Sequence, residues 1–423
     1  MPPTDRLQVL RTGFARAFWV ANTLELFERL AFYGSKAVLA VYLVEKVGLG
    51  RLGSTLVGLY GFAVFFLPTL AGPLVDRYGF RRSLVACFSI FSLGYFAIGL
   101  AGLPMGRAFV ASVGLTPYII GALLLTAIGG SLIKPCVVGT VARTTKPETK
   151  SLGYSIYYTL VNLGGAMGPV LGLQVREGLG IEYVLVMSAL TSVLNLLGTL
   201  VFFREPEGAP EGATRSLGQV VRDMGLVFTN LRFMAFLVIF SGFWIMFWQI
   251  FYGLPFYVRD VLHFPRFELI ETVDSWAIIL LTVPVTALMK KVRPILAMSS
   301  GFAVASLGWI LIGAVPTLGA TIAGIMIFAV GEAMQAPRFY EYVADLAPED
   351  QVGTYMGFAF LPVAIGALVA GYLSGFLVEH FMRQSQRPGM MWFVLASVGL
   401  ASTVLMLLYD RFMAPRKRGP EAA

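Results

Sequence analysis

Apolar stretches of helical length recur along the whole chain, separated by short breaks rich in Gly, Pro and charge. A helix of ~20 apolar residues spans the ~30 Å of a bilayer's hydrocarbon. The pattern predicts twelve such spans, at 17–45, 54–75, 83–103, 117–142, 151–175, 182–203, 232–259, 268–289, 294–314, 317–345, 352–379 and 389–410. Two of its features stand out. In the first span, Glu25, Glu28, Arg29, Phe32, Tyr33 and Lys36 follow each other at intervals of three and one, which places them on one stripe of the helix. The opposite face is Leu, Ala and Val and suits lipid. The longest polar interruption runs from Arg204 to Arg222 and contains Glu205-Pro206-Glu207-Gly208-Ala209-Pro210-Glu211-Gly212, a composition that suits a flexible linker. It divides the chain into a six-helix unit (1–203), a linker (204–226) and a second six-helix unit (227–423).

Composition supports the membrane reading. Of 423 residues, 57% are hydrophobic and 13% charged, against roughly 25% charged in soluble domains. A soluble fold would have to expose large apolar patches. The net charge of +8 does not point to nucleic acid, because Lys and Arg concentrate in alternate loops. Examples are Arg77, Arg81 and Arg82 after the second span, Lys290, Lys291 and Arg293 after the eighth, and Arg416, Lys417 and Arg418 at the end. That asymmetry predicts a multi-pass protein of the cell inner membrane with both termini cytoplasmic. Residues Met1 to Arg16 are polar and show no signal peptide. Cys87 and Cys136 both fall in apolar spans, so neither a disulfide framework nor a metal site is expected. No cofactor is implied.

Charge inside the spans carries the functional reading. A charged side chain at a helix centre costs ~2.5–3.5 kcal/mol or more in hydrocarbon, so each needs a partner or a wet cavity. The candidates are Glu25, Glu28, Arg29 and Lys36, then Lys134, Asp274, Glu332, Arg338 and Glu341. They can serve as ion pairs that only hold helices together, or as the wall of a solute pathway. Lys134 is the only cation expected deep in the fourth span, with Glu25 or Glu28 as its natural partner. A pair made or broken by a proton would couple pH to helix position. His263 and His380 fall at span ends, so carboxylates must carry any proton at mid-membrane. No paired histidines, H-E-x-x-H or P-loop argues for an enzyme. Mixed charge signs disfavour a channel.

Motifs sharpen this. Gly72-Pro73-Leu74-Val75-Asp76-Arg77-Tyr78-Gly79-Phe80-Arg81-Arg82 resembles the G-x-L-x-D-R-x-G-x-R-R signature of the major facilitator superfamily, and Met289-Lys290-Lys291-Val292-Arg293 echoes it after the eighth span. Asp76, Arg77, Arg81 and Arg82 would form a conformational latch, the basic residues capping a helix C-terminus and Asp76 a neighbouring N-terminus. Glu25-Leu26-Phe27-Glu28-Arg29-Leu30-Ala31-Phe32-Tyr33-Gly34 resembles the E-x-x-E-R-F-x-Y-Y-G motif of proton-dependent oligopeptide transporters, with Leu30 and Phe32 departing. Lys134-Pro135, Ser155-Ile156-Tyr157-Tyr158 with Asn162-Leu163-Gly164, Phe243-Trp244 with Gln249, Gly331-Glu332 with Pro337, and Met356-Gly357 with Phe360-Leu361 are similar to further signatures of that family, in the same order.

The resemblance implies an all-α major facilitator fold of two six-helix bundles that works by alternating access. It implies symport of protons with short peptides or peptide-like zwitterions, by a monomer whose partners are a small-molecule substrate, protons and the bilayer. Arg29 and Lys36 would meet a substrate carboxylate and Glu332 an amino terminus, with Tyr33, Tyr157, Asn162, Trp244 and Gln249 adding hydrogen bonds and walls. Glu25, Glu28, Arg29 and Lys134 would couple protons. Family members usually carry a Glu where this chain has Trp248; Asp274 is the candidate substitute. Phe32, Lys36 and Phe65 stand where Tyr, Arg and Tyr are more usual. These departures leave open an exporter or exchanger of another small organic anion or drug-like compound.

Overall fold

Each apolar stretch forms a helix because hydrocarbon leaves the backbone no partner but itself. The computed structural model describes residues 13–146, 149–206, 217–348 and 352–414. The core of the expected linker (207–216) and the basic cluster Arg416, Lys417 and Arg418 lie outside the described residues, as do 1–12 of the polar N-terminus. The spans are α1 (Arg16–Val41), α2 (Arg51–Phe66, continued as Pro68–Tyr78), α3 (Phe80–Leu100), α4 (Leu115–Thr144), α5 (Lys150–Gly178), α6 (Ile181–Phe202), α7 (Leu231–Tyr252, continued as Leu254–Asp260), α8 (Phe267–Met289), α9 (Pro294–Ala314), α10 (Leu318–Leu346), α11 (Val352–Phe358, continued as Leu361–Leu377) and α12 (Pro388–Phe412). By length and apolarity ten helices cross a membrane, and the bent pair of α2 makes eleven. The remaining span, α1, carries Glu25, Glu28, Arg29 and Lys36 in its interior. The 44° bend in α2 falls just before Pro68, whose ring and missing N–H interrupt the helical ladder.

Packing reveals a duplication. In the first half α1 lies against α5 and α6, and α3 against α4 and α6. In the second half α7 lies against α11 and α12, and α9 against α10 and α12. Adding six to each number turns one set into the other. The two bundles meet along two seams, α2 with α11 and α5 with α8, which exchange under the same operation. The α2–α11 seam is close because Gly58 and Gly371 face each other: a Cβ on Gly371 would fall 2.5 Å from the Gly58 Cα. With no hydrophobic effect between helices in lipid, such small-residue contacts supply the dispersion that holds them.

Ion pairs cross between the bundles at the end opposite the termini. Glu45 receives two hydrogen bonds from Arg259, at 2.7 and 2.6 Å, and lies 3.8 Å from Arg383. Arg176 pairs with Glu268 and donates to the Pro265 carbonyl at 2.9 Å, while Arg266 donates to Glu177 at 2.8 Å. Part of the linker region is ordered as a helix, Leu217–Thr229, which packs on Pro68–Tyr78 and on Val352–Phe358.

Gly371→Val is expected to overpack the α2–α11 seam and cost about 1–3 kcal/mol, read as a lower thermal unfolding midpoint in detergent. Gly121→Ala, where a Cβ meets nothing within 4 Å, should be neutral or stabilising by up to about 1 kcal/mol.

Candidate functional site

The polar stripe of α1 turns into the protein. Glu25, Glu28, Arg29 and Lys36 are all buried. The helical spacing brings Arg29 over both carboxylates: its Nε contacts Glu28 and lies 3.4 Å from Glu25 Oε1. Tyr157 on α5 donates to Glu25 Oε1 at 3.5 Å. This side of α5 can come so near because position 164 is glycine; a Cβ there would be 2.4 Å from the Arg29 Cβ. The guanidinium also lies over the Phe32 ring, 4.8 Å from its centroid.

Lys134 is placed differently from the sequence expectation. Among the described residues no ion pair includes it. Its ammonium sits over the rings of Phe360 (5.1 Å) and Phe65 (5.7 Å), while Glu25 and Glu28 belong to Arg29. Arg29 is four residues from Glu25 and adjacent to Glu28 on the same helix, so local geometry satisfies those carboxylates before α4 can reach them. Arg29 and Lys134 line one cavity of about 280 Å³, walled by Phe32, Phe65, Ile133 and Phe360 and running towards Thr69 and Gly357 near the end that bears the termini.

Lys36, two turns further along α1, enters the second bundle. Its Nζ lies 3.5 Å from the centroid of Phe251, 4.3 Å from Trp248, 5.4 Å from Phe247 and 5.2 Å from Tyr33. A cation among electron-rich ring faces is favourable, by ~2 kcal/mol or more when desolvated. Trp248 is itself fixed, donating from Nε1 to the Val363 carbonyl at 3.2 Å and stacking on Tyr252.

The second bundle faces Lys36 with acids. Glu268, Glu271 and Asp274 on α8 are 0, 1 and 5% exposed. Glu332 on α10 joins them; Glu271, Asp274 and Glu332 all lie within electrostatic range of Lys36. Glu268 and Glu271 were not candidates from sequence, although the E-x-x-E-x-x-D spacing was there to be read.

Other expected residues divide. Trp244 packs its Cβ against Gly366 and keeps its buried Nε1 without a hydrogen-bond partner among the described residues. Asn162 donates to the Tyr158 carbonyl one turn back, at 2.8 Å. Tyr158 and Tyr340 are 54% and 40% exposed, within electrostatic range of each other and of Glu332. Gln249 is fully buried and donates to the Ala370 carbonyl at 3.1 Å, joining α7 to α11. Arg338 is also a packing residue, bonding Glu341 and the carbonyls of Met289, Lys290 and Val292 at the end of α8. At the expected latch, Arg81 donates to the Leu200 carbonyl at 2.9 Å. The α3 N-terminus, however, is capped by Glu205 and not by Asp76: the amides of Phe80 and Arg81 each donate to its carboxylate at 2.7 Å. Arg77 lies over Tyr78, and Arg82 is exposed.

Comparison with known proteins follows the geometry. A family described as Major Facilitator Superfamily matches residues 24–361 and 266–423. "Multidrug resistance protein MdtH" of Escherichia coli (strain K12 / DH10B) is 23% identical over 381 residues, covering 88% of this chain and 88% of that protein. The same figures hold for the protein of that name from Shigella boydii serotype 18 (strain CDC 3083-94 / BS512). A POT family transporter in complex with a thioalcohol conjugated peptide superposes with a TM-score of 0.77 at 18% identity, over 94% of this chain and 96% of that one. One in complex with 5-aminolevulinic acid gives 0.74 at 17%, over 94% and 96%. The POT family transporter PepTSo gives 0.73 at 16%, over 94% and 98%. At such identities the likeness establishes a shared fold.

Arg29→Met should leave Glu25 and Glu28 buried without their cation, at a cost of about 3–5 kcal/mol. Protonation makes a carboxyl neutral, so the deficit in thermal stability relative to the unaltered protein is expected to shrink as pH falls and grow as it rises. A deficit independent of pH would contradict the assignment.

Proposed function

The chain belongs to the Major Facilitator Superfamily, and from that premise we propose that it is a proton-coupled symporter of short peptides or peptide-like zwitterions. It works by alternating access in the cell inner membrane, with both termini cytoplasmic. One observation carries the reading. Lys36 of the first bundle faces acids of the second (Glu271, Asp274, Glu332), while Arg29 and Lys134 line a cavity that reaches Gly357 and Phe360 of the second. A zwitterion spanning the two bundles would present its carboxylate to Arg29, Lys36 or Lys134 and its ammonium to Glu332. Tyr33, Tyr157, Asn162 and Trp244 would orient the backbone between them.

Coupling follows from the Arg29 cluster. A proton on Glu25 or Glu28 removes one of the two attractions that hold the guanidinium, and freed donors can then meet the substrate carboxylate. Lys134, without a carboxylate of its own in this state, completes the anion site. The far-end pairs of Glu45 with Arg259 and of Arg176 with Glu268 describe a protein closed on one side; with cytoplasmic termini that side is the outer one. The loop of Asp76, Arg77, Arg81 and Arg82 would latch the first bundle, here through Arg81 on Leu200 and with Glu205 as the acidic cap.

A second reading has its own support. The cavity at Arg29 and Lys134 is walled mainly by Phe, Val and Ile, and the curated relatives carry a multidrug-resistance name. An apolar cavity with two cations also suits a lipophilic organic anion, exported or exchanged through the same fold.

Purified protein in liposomes with an alkaline interior should accumulate labelled dialanine, and a protonophore should abolish the accumulation. Glu25→Gln or Lys134→Ala should reduce it at least about tenfold, as loss of a charged partner worth 1.4 kcal/mol or more would, while the protein stays folded. Accumulation of a lipophilic anion but not of dialanine would replace the first reading with the second.

A further inference from the structure

Among the described residues, Glu25, Glu28, Arg29, Lys36, Glu271 and Asp274 are buried where the bundles meet, with Lys134 and Glu332 half-buried beside them, five carboxylates against three cations. Burying two uncompensated negative charges is prohibitive, whereas a protonated carboxyl is neutral. A proton held among these acids relieves that cost, and the surroundings of each indicate where. Glu25 and Glu28 share Arg29. One helical turn beyond Glu271, Glu268 is ion-paired with Arg176 across the α5–α8 seam.

Glu271 has no such partner. It is 1% exposed, and neither of its carboxyl oxygens has a hydrogen-bond partner among the described residues. Two charged groups act on it directly, Glu268 on α8 itself and Lys36 on α1. Asp274 on α8 and Glu332 on α10 share Lys36 with it, Arg176 on α5 is bound to Glu268, and the α7 continuation that also packs on α8 carries Arg259, which pairs with Glu45 and Asp260. Of the cations, Arg176 is committed to Glu268. Among the described residues Lys36 has no carboxylate oxygen within ion-pair distance; it rests among the rings of Tyr33, Phe247, Trp248 and Phe251. An uncommitted buried acid thus lies between an ion-paired gate and an uncommitted buried ammonium.

We propose that Glu271 is a proton-binding site, reached from the far end of the α5–α8 seam and read out by Lys36. The inference rests on the alternating-access reading above and locates part of its proton traffic on α8. When the Arg176–Glu268 and Arg266–Glu177 pairs part, water reaches Glu271 and a proton binds to its carboxylate. Neutral Glu271 no longer attracts the Lys36 ammonium, which stays in its aromatic cage, and the seam closes over an uncharged acid. After the opposite end opens, the proton leaves through Asp274 and Glu332, and Glu271 becomes an anion again. No covalent bond other than O–H is made or broken.

Infrared titration of the full-length protein in liposomes tests this without a substrate, because a protonated carboxyl has a C=O stretch that a carboxylate lacks. The unaltered protein should retain protonated-carboxyl absorption at neutral pH, and Glu271→Gln should remove a component of it. Lys36→Met, by deleting the cation, should make the same component persist to a pH higher by about one unit or more. A Glu271→Gln spectrum superimposable on the unaltered one at every pH overturns the proposal. If that variant does not fold, an unmoved titration in Lys36→Met overturns it instead. Dialanine uptake separates the two claims. The expected infrared changes without any peptide accumulation would leave the proton site standing and remove the peptide reading. Undiminished pH-driven accumulation in Glu271→Gln with an unaltered spectrum would do the reverse.

Discussion

A guanidinium at mid-membrane must be matched by negative charge, and the interior of the first bundle is arranged around that requirement. Arg29 sits between Glu25 and Glu28 on its own helix, so α1 must keep one face polar and turn it inward. Gly164 lets α5 close over the cluster, and Tyr157 adds a hydrogen bond from the same side. The cluster is consequently rigid where it pairs and open where it meets the cavity with Lys134. Removing water from such a group makes each remaining interaction stronger, and also makes any missing one expensive.

Lys36 obeys the same constraint by other means. Where a carboxylate on α7 would have been the direct answer, α7 offers Phe247, Trp248 and Phe251. Ring faces stabilise a cation without cancelling its charge, so its field still reaches the acids of α8 and α10. At Lys36 the interface is thereby polarised, a cation from one bundle facing acids of the other. Arg338 and Glu341, by contrast, close on each other locally.

The fold was legible because its signal is repeated. Twelve apolar stretches, one long polar break and two related loops specify a duplicated bundle, and the seams α2–α11 and α5–α8 follow from the duplication. The inward stripe of α1 was equally plain, since spacing alone places Glu25, Glu28, Arg29 and Lys36 together. Partner choice was not. Glu25 and Glu28 meet Arg29 because all three stand on α1, whereas what Lys134 meets depends on how closely α4 approaches its neighbours, which periodicity does not show. The bond of Gln249 could not be read from the sequence, because which way a buried amide turns depends on the carbonyl of Ala370, which belongs to another helix. Glu205 looked like part of a loose linker, yet its carboxylate meets two amides at the start of α3. Glu268 and Glu271 carried a clear three-residue rhythm, but near a span end acids are normally solvated and draw no notice.

The helix Leu217–Thr229 lies across both halves, touching Pro68–Tyr78 of one and Val352–Phe358 of the other, and Glu205 pins the chain that leads to it. A strap placed beside α2 and α11 leaves that edge little slack, whereas nothing comparable spans the edge where Tyr158 and Tyr340 are exposed among the described residues. The mouth facing the termini should therefore gape lopsidedly, like a purse hinged on one side, and traffic should pass along α5 and α10 in preference to the tethered flank.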